Sequence, residues 1–129
     1  MFRSTKNKGA FAALPERMSK KHIRQLAREY NISLRGIRIV IDFDEEKLKE
    51  SFNYAGRADE FTVGRIDFFP KAFTSKEDLL RTLYHERLHV LQYKKYGVTY
   101  VLEHSKDFED ITEAEENNYI NDLKKRGLL

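Results

Sequence analysis

Residues 83–97 read Leu-Tyr-His-Glu-Arg-Leu-His-Val-Leu-Gln-Tyr-Lys-Lys-Tyr-Gly, a pattern typical of a buried helix with polar groups on one face. In an α-helix, residues four apart lie on the same face. His85 and His89 are therefore predicted to direct two imidazole nitrogens at one point, where a zinc ion would lie about 2.0–2.1 Å from each. Glu86 lies about 100° further around the helix, beside that point. It is predicted to be the general base for a water molecule acidified by the metal.

The boundaries of this helix are also marked in the sequence. Thr74 and Ser75 each precede an acidic residue by three positions, which is the spacing of a capping box at a helix start. Gly97 is a suitable stop, and Lys94 and Lys95 in the last turn complement the helix dipole. We therefore predict a helix from about residue 74 to Tyr96.

A third metal ligand must come from elsewhere in the chain. Gln92 and Lys95 occupy the positions where the metzincin extension needs Gly and His, which excludes that class. Glu113 is the preferred candidate because it lies centrally on an acidic and apolar helix face and precedes the small Ala114. Three alternatives are left open: Glu116, Glu109 and His104. The candidate donors to a transition-state oxyanion are Tyr100 and Tyr119, with His104.

The other segments predict a single α+β domain. We expect a helix at 15–30, a strand at 36–43, a short helix or loop at 44–60 and a strand region at 61–69. Residues 97–102 predict a turn and a short β-prone run, and a last helix begins at Asp107 or Thr112 and ends near Gly127. The expected domain, 15–129, is a small, mostly antiparallel sheet packed on a central helix, with N- and C-terminal helices. Residues 1–14 are expected to be a basic, flexible arm.

Composition excludes several classes of protein. The 129 residues contain no Cys, which removes thiol nucleophiles and Cys-based zinc sites. The 9 Phe and 7 Tyr are sufficient for a modest core. The chain shows no apolar leader segment and no stretch long enough to span a membrane, so a cytoplasmic location is expected.

Charge is distributed unevenly along the chain. Residues 1–35 carry nine Lys or Arg against two acids, a net of +7, whereas residues 36–129 carry fifteen against nineteen, a net of −4. The basic segment could bind nucleic acid, phospholipid or an acidic protein. A solvated helix face is the favoured interpretation, because neither aromatic residues nor glycines are interleaved with the cations.

Three blocks of sequence carry a family resemblance: Pro-Glu-Arg-Met-Ser-Lys-Lys-His-Ile-Arg at 15–24, Gly-Arg-Ile-Asp-Phe-Phe-Pro-Lys-Ala-Phe at 64–73, and the stretch at 83–97. Together they resemble the zincins of gluzincin type, and more narrowly a small zincin domain of phage and prophage head-morphogenesis (minor capsid) proteins and toxin-like proteins. The pair at 113–114 is similar to the Glu-Ala at the third ligand of ImmA/IrrE-like peptidases, although residues 115–118 depart from that pattern. The resemblance implies one zinc ion, a zincin-like fold and, at residues 61–69, an edge strand along which a substrate would lie.

The expected function is that of a zinc metallopeptidase that acts on a peptide or protein. One alternative is a non-catalytic, phage-associated structural or binding module, with a capsid or host protein as its partner. The other is a toxin or effector of narrow specificity. The resemblance adds a virion-associated location to the cytoplasmic one.

Overall fold

The computed structural model describes residues 7–129, and in this range the chain forms an α+β fold. This confirms the predicted fold class. In chain order the elements are α1 (Lys20–Glu29), β1 (Arg38–Ile41), β2 (Gly56–Ala58), β3 (Arg65–Phe68), α2 (Lys76–Tyr96), α3 (Val98–Glu103) and α4 (Ser105–Lys125). Short 3₁₀ turns lie at Gly9–Phe11, Glu45–Leu48 and Pro70–Phe73.

Helix α2 is the central element, and its ends lie where the sequence predicts them. The Ser75 hydroxyl accepts a hydrogen bond from the Asp78 amide at 2.9 Å, which caps the first turn. At the other end Gly97 adopts φ +86°, a conformation that favours glycine. The inner side of the helix is fully buried and consists of Leu79, Leu80, Leu83 and Val90.

The sheet has the order β1-β3-β2, and it is mixed. Strand β1 pairs in parallel with β3, whereas β2 pairs with β3 in the antiparallel sense. The expectation of a mostly antiparallel sheet is therefore wrong. The physical reason is the connection at residues 42–64, which is long enough to return the chain to the end where β1 began. The central strand β3 is the most buried, with Ile66 and Phe68 inaccessible to solvent.

The outer helices α1 and α4 both pack against α2. Helix α1 is capped by Ser19 and buries Ile23, Leu26 and Ala27. Helix α4 buries Thr112, Ile120 and Leu123. Residues 97–102, for which a turn and a short β-prone run are predicted, instead contain most of the short helix α3, which buries Val101. The preference of Val and Thr for strands is overridden here by packing on the end of α2.

The described part of the predicted flexible arm is docked on the domain. The Asn7 side chain accepts from the Met18 amide at 2.7 Å and donates to the Glu16 carbonyl at 2.7 Å. Phe11 is buried in the core, and Leu14 packs against it. Residues 1–6 of that predicted arm lie outside the described residues. Within the described range, no helix is both long and apolar enough to cross a membrane.

Candidate metal centre

The side chains of His85, His89 and Glu109 converge on one point between α2 and α4. The Glu109 carboxylate contacts both rings, at 2.8 Å from His85 Nε2 and at 3.0 Å from His89 Nε2. The two Nε2 atoms are 3.1 Å apart. The predicted juxtaposition of the two histidines is thus present, and their group with Glu109 could hold a metal ion.

The donor set fits a divalent metal such as zinc. Ligands 2.0–2.1 Å from a tetrahedral zinc lie about 3.3 Å from each other. The observed separations of 2.8–3.1 Å are within a few tenths of an ångström of that value. Two imidazoles and one carboxylate also form a ligand set that zinc uses in catalytic sites, where a fourth position is left for water or substrate.

The geometry selects Glu109 from the candidate third ligands and leaves Glu113 outside the cluster. Glu113 is exposed, although it lies one turn after Glu109. The reason is the rotation of α4, whose inward face is centred on Thr112, Glu116 and Ile120 and leaves Glu113 at its margin. His104 is exposed between α3 and α4, where its Nδ1 atom bonds to the Tyr100 carbonyl at 2.9 Å.

Each imidazole is oriented by a partner on its other nitrogen. His85 Nδ1 lies 2.8 Å from Glu116 Oε1, and His89 Nδ1 lies 2.9 Å from Gln92 Oε1. Gln92 in turn donates to the Thr112 hydroxyl at 2.8 Å. When Nδ1 carries the proton for these bonds, the Nε2 lone pair is available to a metal, which is the usual arrangement around histidine ligands. The sequence predicts Glu116 only as an alternative ligand, and the role of Gln92 is not anticipated, although it lies one turn after His89.

Glu116 links the histidine to a wider ionic network. Its second oxygen accepts from Arg81 at 2.7 Å, and Arg81 also pairs with Glu77 at 3.0 Å. Burial alone would lower the pKa of His85, but the hydrogen bond to Glu116 and the charges of Glu86, Glu109 and Glu116 raise that pKa to about 9. At neutral pH a proton on His85 would therefore neutralise part of this carboxylate cluster. The same excess of negative charge would attract a cation.

Glu86 lies against the edge strand β2. Its Oε1 atom accepts a hydrogen bond from the Ala58 amide at 3.1 Å. Burial raises the pKa of the Glu86 carboxyl, and the neighbouring histidines oppose that effect without overcoming it. A raised carboxyl pKa lies closer to neutral pH, where a carboxyl group can both accept and release a proton.

The two tyrosines that are predicted as oxyanion donors lie away from the three converging side chains. Tyr100 is half exposed and stacks on His104, with ring centroids 4.2 Å apart. Tyr119 stacks on Tyr84 at 4.2 Å, outside the cleft described below. A third tyrosine, Tyr93, stacks beside His89 at 6.4 Å and lines that cleft. Burial and nearby carboxylates raise the Tyr93 pKa, so its hydroxyl keeps its proton. Tyr93 could be found from the sequence, because a residue four positions after His89 lies on the same face of the helix.

An open cleft of about 1230 Å³ runs past the three side chains. One wall is β2, which forms an edge of the sheet, so the expectation of an edge strand at residues 61–69 is wrong: β3 is paired on both sides. Ala55 and Asp59 direct backbone groups to β3, through bonds to Phe69 and Arg65. Since backbone groups of a strand alternate in direction, those of Gly56 and Ala58 point away from the sheet and toward the cleft side. The segment 44–60 is predicted as a helix or loop, and this short strand within it is missed.

Comparison with protein-family models, with curated proteins and with solved structures finds no match to this chain. The residues of the site form a candidate metal centre with two histidines, one glutamate and an adjacent half-buried glutamate, beside an accessible strand edge.

Proposed function

We propose that this protein is a zinc-dependent peptidase of the zincin kind. The observation that carries the proposal is the convergence of His85, His89 and Glu109 next to the carboxyl of Glu86. The three converging side chains would hold zinc, and Glu86 would be the general base. A zinc ion supplies Lewis acidity, which polarises a carbonyl and lowers the pKa of water to about 7.

The residues around the metal position have separable tasks in peptide hydrolysis. Glu86 Oε1 is held by the Ala58 amide, which leaves Oε2 to accept the proton of the attacking water. As the C–N bond of the substrate breaks, that proton passes from Glu86 to the departing amine nitrogen. The protonated hydroxyl of Tyr93 would donate to the oxyanion of the tetrahedral intermediate.

The cleft is suited to an extended peptide. The outward amide of Gly56 and the outward carbonyls of Gly56 and Ala58 would pair with a substrate strand, which is the usual mode of strand addition. The Ala58 amide is already bonded to Glu86, so this contact would couple substrate alignment to the base. Phe52 and Phe69 also line the cleft, where they meet edge to face at 5.2 Å with the Lys47 ammonium over both rings, and these rings would contact a side chain of the substrate.

The test compares the zinc-loaded wild type with Glu86→Gln on a broad peptide library, read by mass spectrometry of new termini. Gln keeps the shape of Glu and the acceptor for the Ala58 amide, but it cannot take a proton. We expect zinc content to be unchanged and cleavage to fall about 10²–10⁴-fold, the usual contribution of a general base. His89→Ala is expected to lose both zinc and cleavage.

The outcomes separate the two parts of the proposal. Equal cleavage by wild type and Glu86→Gln would remove the catalytic role and leave metal binding intact. Full zinc content in His89→Ala would contradict the metal centre itself.

A further inference from the structure

Helix α1 presents a face that consists almost wholly of cations. Lys20, Lys21, Arg24 and Arg28 are all exposed, and Gln25 is the uncharged polar residue among them. Lys20, Arg24 and Arg28 follow one another at four-residue intervals, so they form a stripe with steps of about 6 Å and a length of about 12 Å. The stripe lies outside the cleft, since none of the described residues that line the cleft belongs to α1.

These cations lack the partners that most other cations of the protein have. Among residues 7–129, none of the four side chains makes an ion pair or a side-chain hydrogen bond. Two acids lie beside these cations, and each is paired with another residue: Glu16 with His22 of α1 at 2.9 Å, and Glu29 of α1 with Lys76 of α2 at 3.1 Å. Among the described residues, the four exposed cations of α1 are therefore left without a carboxylate partner.

We propose that this face of α1 binds the phosphate backbone of double-stranded DNA. A duplex carries one negative charge per about 1.7 Å of its axis, so a straight row of cations can neutralise several phosphates at once. The net charge of −4 on residues 36–129 would be repelled by the duplex, which orients the molecule with α1 toward it.

The chemistry of the face distinguishes DNA from other polyanions. Membrane-binding helices insert apolar side chains, but Ile23, Leu26 and Ala27 of α1 are buried in the core. Single strands are held by stacking on aromatic rings, and the exposed positions of α1 carry none. Duplex RNA is recognised in part by hydrogen bonds to its 2′-hydroxyls. On this face Gln25 is the uncharged polar residue that could make such bonds, so the face is better suited to phosphates than to 2′-hydroxyls.

The experiment measures binding of the full chain to a fluorescent 20-base-pair DNA duplex of mixed sequence by anisotropy, as a function of salt. The test variant carries K20Q, K21Q, R24Q and R28Q. The matched control carries K49Q, K95Q, K106Q and R126Q, four exposed residues that contact acidic or aromatic neighbours. Both variants lower the formal net charge of +3 by four, and Gln retains helix propensity.

For the wild type and the control we expect the logarithm of the binding constant to fall with log salt at a slope of about −3 to −4, a loss of roughly 100-fold between 50 and 200 mM. At 50 mM salt the α1 variant should bind the duplex at least about tenfold more weakly than the wild type does. The slope of its binding constant against log salt should be near zero. Circular dichroism and thermal melting verify that each variant is folded.

Three results would overturn the proposal. The first is an equal loss in both variants, which would reflect net charge alone. The second is full binding by the α1 variant. The third is tighter, α1-dependent binding to duplex RNA, to phosphatidylserine vesicles or to a polyglutamate peptide than to DNA. The outcome is independent of peptidase activity, since it is read without any substrate.

Discussion

Glu109 and Glu113 lie one helical turn apart on α4, which makes them a matched pair for identifying the third ligand. Glu109 contacts both histidines, whereas Glu113 is exposed. We expect Glu109→Gln to weaken zinc binding by more than the roughly 10–100-fold typical of an outer-shell partner, because a ligand itself is lost. Glu113→Gln should bind zinc as the wild type does. Competition titration with a chromophoric chelator measures both, and a larger loss in Glu113→Gln would reverse the assignment.

Glu116 provides a second test at the scale of single residues. Its carboxylate accepts from His85 Nδ1 and so orients the ring and increases its basicity. We expect Glu116→Gln to lower zinc affinity by about tenfold, the lower end of the usual range, because an amide oxygen can still accept that bond. The exposed neighbour Glu115, changed to Gln, is the control for the loss of one negative charge. Equal affinities of these two variants would show that His85 needs no carboxylate behind it.

The sequence predicts the pair of histidines well and the third side chain poorly, for a physical reason. The relation of His85 to His89 depends on the pitch of one helix, which every sequence with this spacing shares. The relation of Glu109 to that pair depends on how α4 is rotated against α2. Three glutamates within two turns of α4 leave that rotation undetermined until the apolar contacts of Ile120 and Leu123 are known.

At the scale of elements, the close approach of β2 to α2 depends on Gly56. A Cβ atom at this position would lie 2.6 Å from the Thr82 methyl and 3.3 Å from Glu86 Cγ. We expect Gly56→Ala to lower the free energy of unfolding by about 1–3 kcal/mol, as overpacking does. It should also reduce peptide cleavage, because β2 carries the amide that holds Glu86. Urea unfolding measures the first effect and the peptide assay the second.

Thr82→Ser is the control, because it removes the methyl and keeps the hydroxyl bond to the Asp78 carbonyl. The double variant with Gly56→Ala should recover part of the lost stability, a coupling that a double-mutant cycle measures. Strict additivity of the two changes would mean that the contact with the Thr82 methyl is not the cause, and that the Asp67 carbonyl oxygen, 3.1 Å from the added Cβ, is the atom that resists it.

Element prediction succeeds where a segment has both a period and caps. Helix α2 has both, and its predicted and observed ends differ by two residues or fewer. Strand β2 has no caps, and its three residues are too few to show an alternating pattern. It forms because its backbone pairs with β3. Helix α3 likewise depends on the burial of Val101, a tertiary effect that the local sequence preference for strand does not predict.

At the scale of the molecule, the α+β class follows from the order of periodic segments, but the direction of strand pairing does not. Whether β1 and β3 run parallel depends on the route of residues 42–64, and that route is determined by packing rather than by local pattern. The docking of residues 7–14 is another whole-molecule property. This docking depends on the burial of Phe11 in the core and on the hydrogen bonds of the Asn7 side chain.

The candidate centre joins α2 and α4, so metal binding and the stability of the whole fold are expected to be linked. An ion held by His85, His89 and Glu109 binds the folded chain and finds no preformed site in the unfolded one. At free zinc 100-fold above Kd, the free energy of unfolding should rise by about 2.7 kcal/mol. For a domain of this size that corresponds to an increase in Tm of roughly 5–15 °C, measured by calorimetry against EDTA-treated protein. The His89→Ala variant is the control and should melt at the same temperature with and without zinc. An equal zinc-induced increase in that variant would place the stabilising ion elsewhere, and the link between α2 and α4 through these three side chains would be lost.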